Sequence, residues 1–298
     1  VHAVDDVSFD LVEGEILALV GESGCGKTSL AMTIPGLERA SSGRIVYQGQ
    51  DVTQMGEESL KGLRRQIQMI FQDPYESLNP TQMIGEIVAE PLQVHKIEAN
   101  KAKREGRILR ALSDAGLKPP EDFISRYPHE LSGGQRQRVV IAAALVLEPR
   151  ILLADEPVSM LDMSIRAEVL NLLMELRETR KVSILYITHD LGTVSYLADR
   201  VAVMYLGRIV ELGPTRAVLD NPQHPYTQAL LSVVPVPNPA RRRERIILKG
   251  EIPNPIDLPS GCRFHPRCPA AQAECRVLDP PFVALDDHHS AACILVNT

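Results

Sequence analysis

Gly21-Glu22-Ser23-Gly24-Cys25-Gly26-Lys27-Thr28 sets three glycines, a lysine and a hydroxyl side by side in the order G-x-x-x-x-G-K-[ST]. Each residue type has a chemical reason to be there. Glycines let backbone N–H groups curl around an oxyanion, and the helix start behind them adds a field of the favourable sign. The Lys27 ammonium suits the β- and γ-oxygens of a nucleoside triphosphate, and the Thr28 hydroxyl, followed by Ser29, suits Mg²⁺. Cys25 reads as a small residue that the loop tolerates.

Three further groups complete a triphosphate chemistry. The apolar run Ile151-Leu152-Leu153-Ala154 ends on Asp155-Glu156. Asp155 is placed to hold Mg²⁺ through water, and Glu156 to act as general base on an attacking water. The Gln72 amide, after another apolar run, can touch both metal and water. His189, after a third such run, can bond the γ-phosphate as a neutral imidazole and position Glu156. Leu131-Ser132-Gly133-Gly134-Gln135 opens a helix expected from Gln135 to Leu147, with Ser132 at its start and two glycines exposing N–H groups. This second anion site lies too far along the fold to serve its own chain's loop. The economical arrangement is a head-to-tail pair, each Ser132 end covering the γ-phosphate held by the partner's Lys27 loop.

The elements that must position these groups alternate. Apolar runs at Glu15–Val20, Ser42–Tyr47, Gln68–Phe71, Ile151–Asp155 and Ser183–Ile187 read as strands. Lys27–Ile34 and Ser164–Thr179 read as helices, and Val201–Glu211 as a hairpin turning at Gly207. The alternation predicts a mostly parallel sheet covered on both faces. From about Ser77 to Tyr127 the sequence turns rich in Leu, Ala, Lys and Glu with prolines at the joints, which predicts a helical insert. From Pro222 the composition shifts again: this tail holds 12 of the 22 prolines and four of the five cysteines. It reads as an appendage separate from the sheet, and Arg241-Arg242-Arg243-Glu244-Arg245 as a solvated link within it.

Composition excludes several classes. The 298 residues carry a net charge of −6, which argues against nucleic acid as the main partner. The longest uncharged apolar run, Val139–Leu147, is too short to span a bilayer, and no charged-then-apolar leader opens the chain. The first residue is Val1, so residues are expected to be missing in front.

With these groups in this order, the chain resembles the nucleotide-binding subunit of an ABC transporter over Val1 to about Asn221. The resemblance implies a P-loop cassette, α/β, with a mixed sheet lobe and a helical lobe at about 77–150, and makes Ser159-Met160-Leu161-Asp162 the D-loop, with Asp162 at the partner's ATP. Phe71-Gln72-Asp73-Pro74-Tyr75, Ser77-Leu78-Asn79-Pro80, His224-Pro225-Tyr226-Thr227 and Gly261-Cys262-Arg263-Phe264-His265-Pro266-Arg267-Cys268-Pro269 are similar to the ATPases of oligopeptide and dipeptide importers. That resemblance implies ATP hydrolysis coupled to peptide uptake. It also implies a second ATPase subunit, sister or self, two membrane-spanning permeases and an external binding protein, with the chain peripheral on the cytoplasmic face. Importers of nickel chelates or glutathione are related, and a soluble ABC ATPase is the rival class. The aromatic residue that stacks on adenine in this family is expected in the segment before Val1.

In that family the tail cysteines, here Cys262, Cys268, Cys275 and Cys293 in residues 222–298, can hold a 4Fe–4S cluster. Their spacing, C-x5-C-x6-C-x17-C, is a poor zinc pattern, whereas iron–sulfur thiolates tolerate wider loops. Zinc, with His265, His288 or His289 substituting, and free thiols or disulfides remain as alternatives.

Overall fold

A computed structural model describes residues 2–234, 244–251, 253–286 and 288–296. Arg241, Arg242 and Arg243 of the basic run lie outside the described residues. The chain divides into two compact units: Val1–Asp10, Ile16–Leu30 and Ile187–Thr298 form one, and Leu11–Glu15 with Ala31–Tyr186 the other.

In the first unit, Ile16–Val20 is a strand with all five residues buried, as expected of a parallel strand covered on both faces. It pairs parallel with Arg200–Tyr205, Leu17 opposite Arg200 and Val20 opposite Val203. Arg200–Tyr205 then runs antiparallel to Arg208–Pro214. The hairpin turns at Leu206 and Gly207, whose φ angles are 43° and 82°, the double positive φ that a tight two-residue turn demands. The composition of the tail predicts an appendage apart from the sheet; the structure corrects this. Ser290–Ala291 pairs antiparallel with Arg208–Pro214, and Val283–Ala284 with Ser290–Ala291. A strand edge has unpaired N–H and C=O groups, and these short tail strands satisfy them. The tail also holds the helix Pro225–Ser232, opened by proline and capped by His224 Nδ1 accepting from Tyr226 N–H at 3.0 Å.

In the second unit, Ile67–Ile70 pairs parallel with Ile151–Asp155. The expected helical insert is present as Ile84–Val94 and Lys101–Asp114, both packed on Gly133–Leu145. Their buried faces include Ile84, Val88, Leu92, Leu112, Val139 and Ile141. The helix Gly133–Leu145 starts two residues before the expected Gln135, because Ser132 caps it. The expected strand from Ser42 shrinks to Val46–Tyr47, paired with Gln50–Asp51. Gly43 at φ 86° interrupts extended backbone, and Ile45 N–H bonds the Thr53 hydroxyl instead of a strand. Glu57–Gln66 is a helix the sequence reading does not include. Among the described residues, no helix is long and apolar enough to cross a membrane.

Candidate functional site

The glycine loop follows directly from the buried strand Ile16–Val20, and the helix Lys27–Thr33 leaves it. The glycines answer to close backbone approaches. A Cβ on Gly21 would lie 2.2 Å from the Met204 carbonyl oxygen, and one on Gly26, at φ 106°, 2.0 Å from that of Ala3. Lys27 is buried, and its Nζ donates to the carbonyls of Gly21 and Glu22, both at 2.9 Å. A lysine ammonium is thus held inside the ring of the loop, where a phosphate group would meet it. Cys25 N–H donates to Glu22 O at 3.3 Å. The Cys25 thiol is 3 % exposed, and burial raises its pKa, so it stays protonated and unreactive. Thr28, Ser23 and Gly24 are exposed, and Ser29 half-buried. His189, in the same unit, follows the strand Ser183–Thr188 and is exposed.

The other unit brings Gln72, Asp155 and Glu156 to the ends of two paired strands. Asp155 closes Ile151–Asp155 and is 4 % exposed. Gln72 Nε2 donates to Glu156 Oε2 at 3.1 Å, joining two side chains read separately from the sequence. Glu156 has φ 46°, the left-handed region that a non-glycine residue enters only when its surroundings compel it. Its carbonyl accepts from both the N–H of Ser159 at 3.2 Å and the Ser159 hydroxyl at 3.0 Å, which fixes that turn.

Ser132 and Gln135 form a reciprocal cap: Gln135 N–H donates to Ser132 Oγ at 3.3 Å, and Ser132 N–H to Gln135 Oε1 at 3.0 Å. Gly134 is buried, and a Cβ there would lie 2.4 Å from Ile165 Cγ2. Gly133 lies beside Tyr75, whose ring the Arg136 guanidinium covers at 4.4 Å. Asp162 is exposed and precedes the helix Met163–Arg180.

In the tail, Cys262, Cys268, Cys275 and Cys293 all line one small cavity, together with His224, Phe264 and His265. Burial raises the pKa of Cys262 to about 11 and pushes Cys268 and Cys293 up as well. Among the described residues, no three His, Cys, Asp or Glu side chains are arranged to hold a single metal ion. His289 Nε2 lies 2.8 Å from Oε1 of Glu211, a carboxylate with no exposed surface, so that ring nitrogen is engaged.

The sequence reading missed two contacts that reach the phosphate loop from the tail side. Arg267 forks onto the Glu22 carboxylate, Nη1 to Oε2 at 2.6 Å and Nη2 to Oε1 at 3.0 Å. Glu22 N–H donates to the Tyr226 hydroxyl at 2.9 Å. Both residues stand in the tail motifs, but nothing local in the sequence names their partner.

The ABC transporter family profile matches residues 4–159, more than half of the chain. This chain is a member of the ABC transporter family. A second profile, that of the oligopeptide/dipeptide transporter C-terminal region, matches residues 210–275 and places it in the peptide-transporter branch. The oligopeptide transport ATP-binding protein AppF of Bacillus subtilis is 48% identical over 300 residues, covering 100% of this chain and 90% of that protein. OppF of Escherichia coli, an oligopeptide transport ATP-binding protein, is 47% identical over 297 residues, covering 99% and 88%. The dimeric ATP-binding cassette MJ0796, in a post-hydrolysis state bound to ADP and Pi, is 30% identical with a TM-score of 0.65, over 72% of this chain and 91% of that one. The fold is therefore that of an ABC ATPase cassette, and the chain is an ATP-hydrolysing transport ATPase.

Proposed function

We propose that this chain powers uptake of di- or oligopeptides as one ATPase of a pair, docked on two membrane permeases at the cytoplasmic face and fed by an external binding protein. The names of its relatives support the cargo class. The loop-enclosed Lys27 and the Gln72–Glu156 hydrogen bond support the chemistry. The Glu156 bond carries the catalytic reading: it ties the candidate base to the residue expected to sense metal and water.

In this reading Lys27 and N–H groups within residues 21–29 hold the triphosphate; the expected contribution of Glu22 is corrected, because its N–H donates to the Tyr226 hydroxyl instead. Thr28, Gln72 and Asp155 would hold Mg²⁺, whose charge, when bound, offsets that of the phosphates. Glu156 takes a proton from the attacking water, and His189 steadies that water and the γ-phosphate. Ser132 Oγ accepts within its own helix cap, so its O–H remains able to donate to a γ-phosphate held by the partner chain. Gly133, Gly134, Gln135 and Asp162 surround the same point. ATP binds the closed pair better than the open one, which is what lets it drive closure. The cassette comprises residues 1–221, with its helical subdomain at about 77–150, and residues 222–298 form the C-terminal domain.

Cys262, Cys268, Cys275 and Cys293 would hold a 4Fe–4S cluster. The lining of one cavity by all four thiols supports this reading, and among the described residues no group of three is arranged to hold a metal ion. When bound, it would supply cross-links that give the proline-rich tail order.

The deciding test is Glu156→Gln in the assembled transporter. The variant is expected to bind ATP, lose at least about 100-fold of its turnover and accumulate as a closed ATPase pair seen by cross-linking. Turnover near the parent value removes Glu156 from the base role.

A further inference from the structure

The segment Gly261–Cys268 faces two ways. Its cysteines Cys262 and Cys268 line the tail cavity. Its remaining large side chains grip the strand-and-loop core that carries the nucleotide motif. Phe264 is 1 % exposed and packs against Tyr205 at 5.2 Å and Tyr226 at 5.3 Å between ring centres. Arg263 pairs with Asp5 and donates to the Leu206 carbonyl. Arg267, 8 % exposed, forks onto Glu22 and lies 5.9 Å over the Tyr205 ring. A tight turn, Arg267 N–H to Phe264 O at 3.0 Å, and a bond to a distant residue, Cys262 N–H to Cys275 O at 2.9 Å, hold the segment.

Glu22 is the second residue of the phosphate loop, yet neither of its polar ends is free for a nucleotide. Its N–H belongs to Tyr226 and both carboxylate oxygens to Arg267. A carboxylate beside a bound triphosphate repels it, and the repulsion grows where water is scarce. The bidentate guanidinium cancels that charge and fixes its direction.

We propose that Arg267 is a positioning residue for ATP: by neutralising Glu22 and pinning the start of the phosphate loop, it makes nucleotide affinity depend on how the Cys262–Cys268 turn is seated. The inference rests on the phosphate-loop reading and deepens it, because it assigns the C-terminal domain a direct hold on the ATP site.

The test is a double-mutant cycle on the full-length chain, reading the Kd for Mg-ATP by calorimetry, with kcat taken in the assembled transporter. Replacing Arg267 by Met is expected to raise Kd by about tenfold or more, with kcat at saturating ATP changed less than about threefold. Arg267→Lys, which keeps the charge without the fork, falls in between. In the Glu22→Gln background the same Arg267→Met change is expected to cost less than about threefold, since no lone carboxylate remains; that double variant also leaves no unpaired charge to impair folding. A Kd within threefold of the parent for Arg267→Met overturns the proposal. So does an equal loss in both backgrounds, which marks Arg267 as merely structural. Lys27→Ala, run in parallel, separates the two readings. If it abolishes binding while Arg267→Met does not, only the present inference falls; if it binds ATP normally, the loop reading falls and the inference with it.

Discussion

Gly26 illustrates how a single residue type can be dictated twice. Its φ of 106° is one that side chains rarely adopt, and an added Cβ would sit 2.0 Å from a backbone oxygen that cannot swing away. Gly49, at φ 78°, has no atom within 4 Å of its would-be Cβ and meets only the first constraint. Gly26→Ala is therefore expected to cost at least about 2 kcal/mol and to weaken ATP binding, while Gly49→Ala costs about 1 kcal/mol. Denaturant unfolding of the two variants checks the contrast, and equal costs would mean that the segment around Ala3 simply moves aside. The glycine, lysine and carboxylate positions of the site were legible because their chemistry is written in adjacent residues. The role of Arg267 was not, because its partner lies 245 positions away and an arginine between proline and cysteine looks like any surface charge. The bond from His289 Nε2 to the buried Glu211 was hidden for the same reason, since the two lie 78 positions apart.

At the level of elements, Gly134 sets how closely two helices meet. Gly133–Leu145 approaches Met163–Arg180 so tightly that a methyl group would fall 2.4 Å from the Ile165 side chain. Gly134→Val is expected to destabilise the protein by about 1–3 kcal/mol through overpacking and to lower ATPase activity by displacing the Ser132 cap. Adding Ile165→Ala should recover part of the stability by making room. Thermal unfolding of the single and double variants decides, and a loss unchanged by Ile165→Ala would place the strain elsewhere. Strand, loop and helix around residue 21 could be read directly, since a buried parallel strand is a continuous apolar run. The helix Glu57–Gln66 carried a signal that the reading passed over: Glu57 and Glu58 in its first turn, Arg64 and Arg65 in its last, and Leu60 and Leu63 on one buried face. Its low apolar content hid it beside louder strands. The tail strands were not readable at all, because two-residue ladders have no period to detect.

For the whole molecule, the cysteine-lined cavity and the phosphate loop lie in one compact unit rather than in separate modules. Anaerobically purified protein is expected to contain about four iron atoms and four sulfides per chain. Serine at Cys262, Cys268, Cys275 or Cys293 should strip that iron and loosen the tail, as seen by limited proteolysis. Stoichiometric zinc, or full order without any metal, would refute the cluster. Alternation announced a mostly parallel sheet, but it could not say that the tail pairs onto the sheet, since that pairing is a property of the assembled sheet.

The tail strand Ser290–Ala291, held between Arg208–Pro214 and Val283–Ala284, bears on the order in which the protein is made. The phosphate-loop sequence leaves the ribosome early. The Met204 carbonyl that Gly21 closes upon, the Tyr226 hydroxyl and the Arg267 fork come from far downstream, and the sheet is sealed only near residue 291. A chain made no further than the phosphate loop thus carries the nucleotide motif without its supports, and the grip on ATP matures only once the segment bearing Arg267 has emerged.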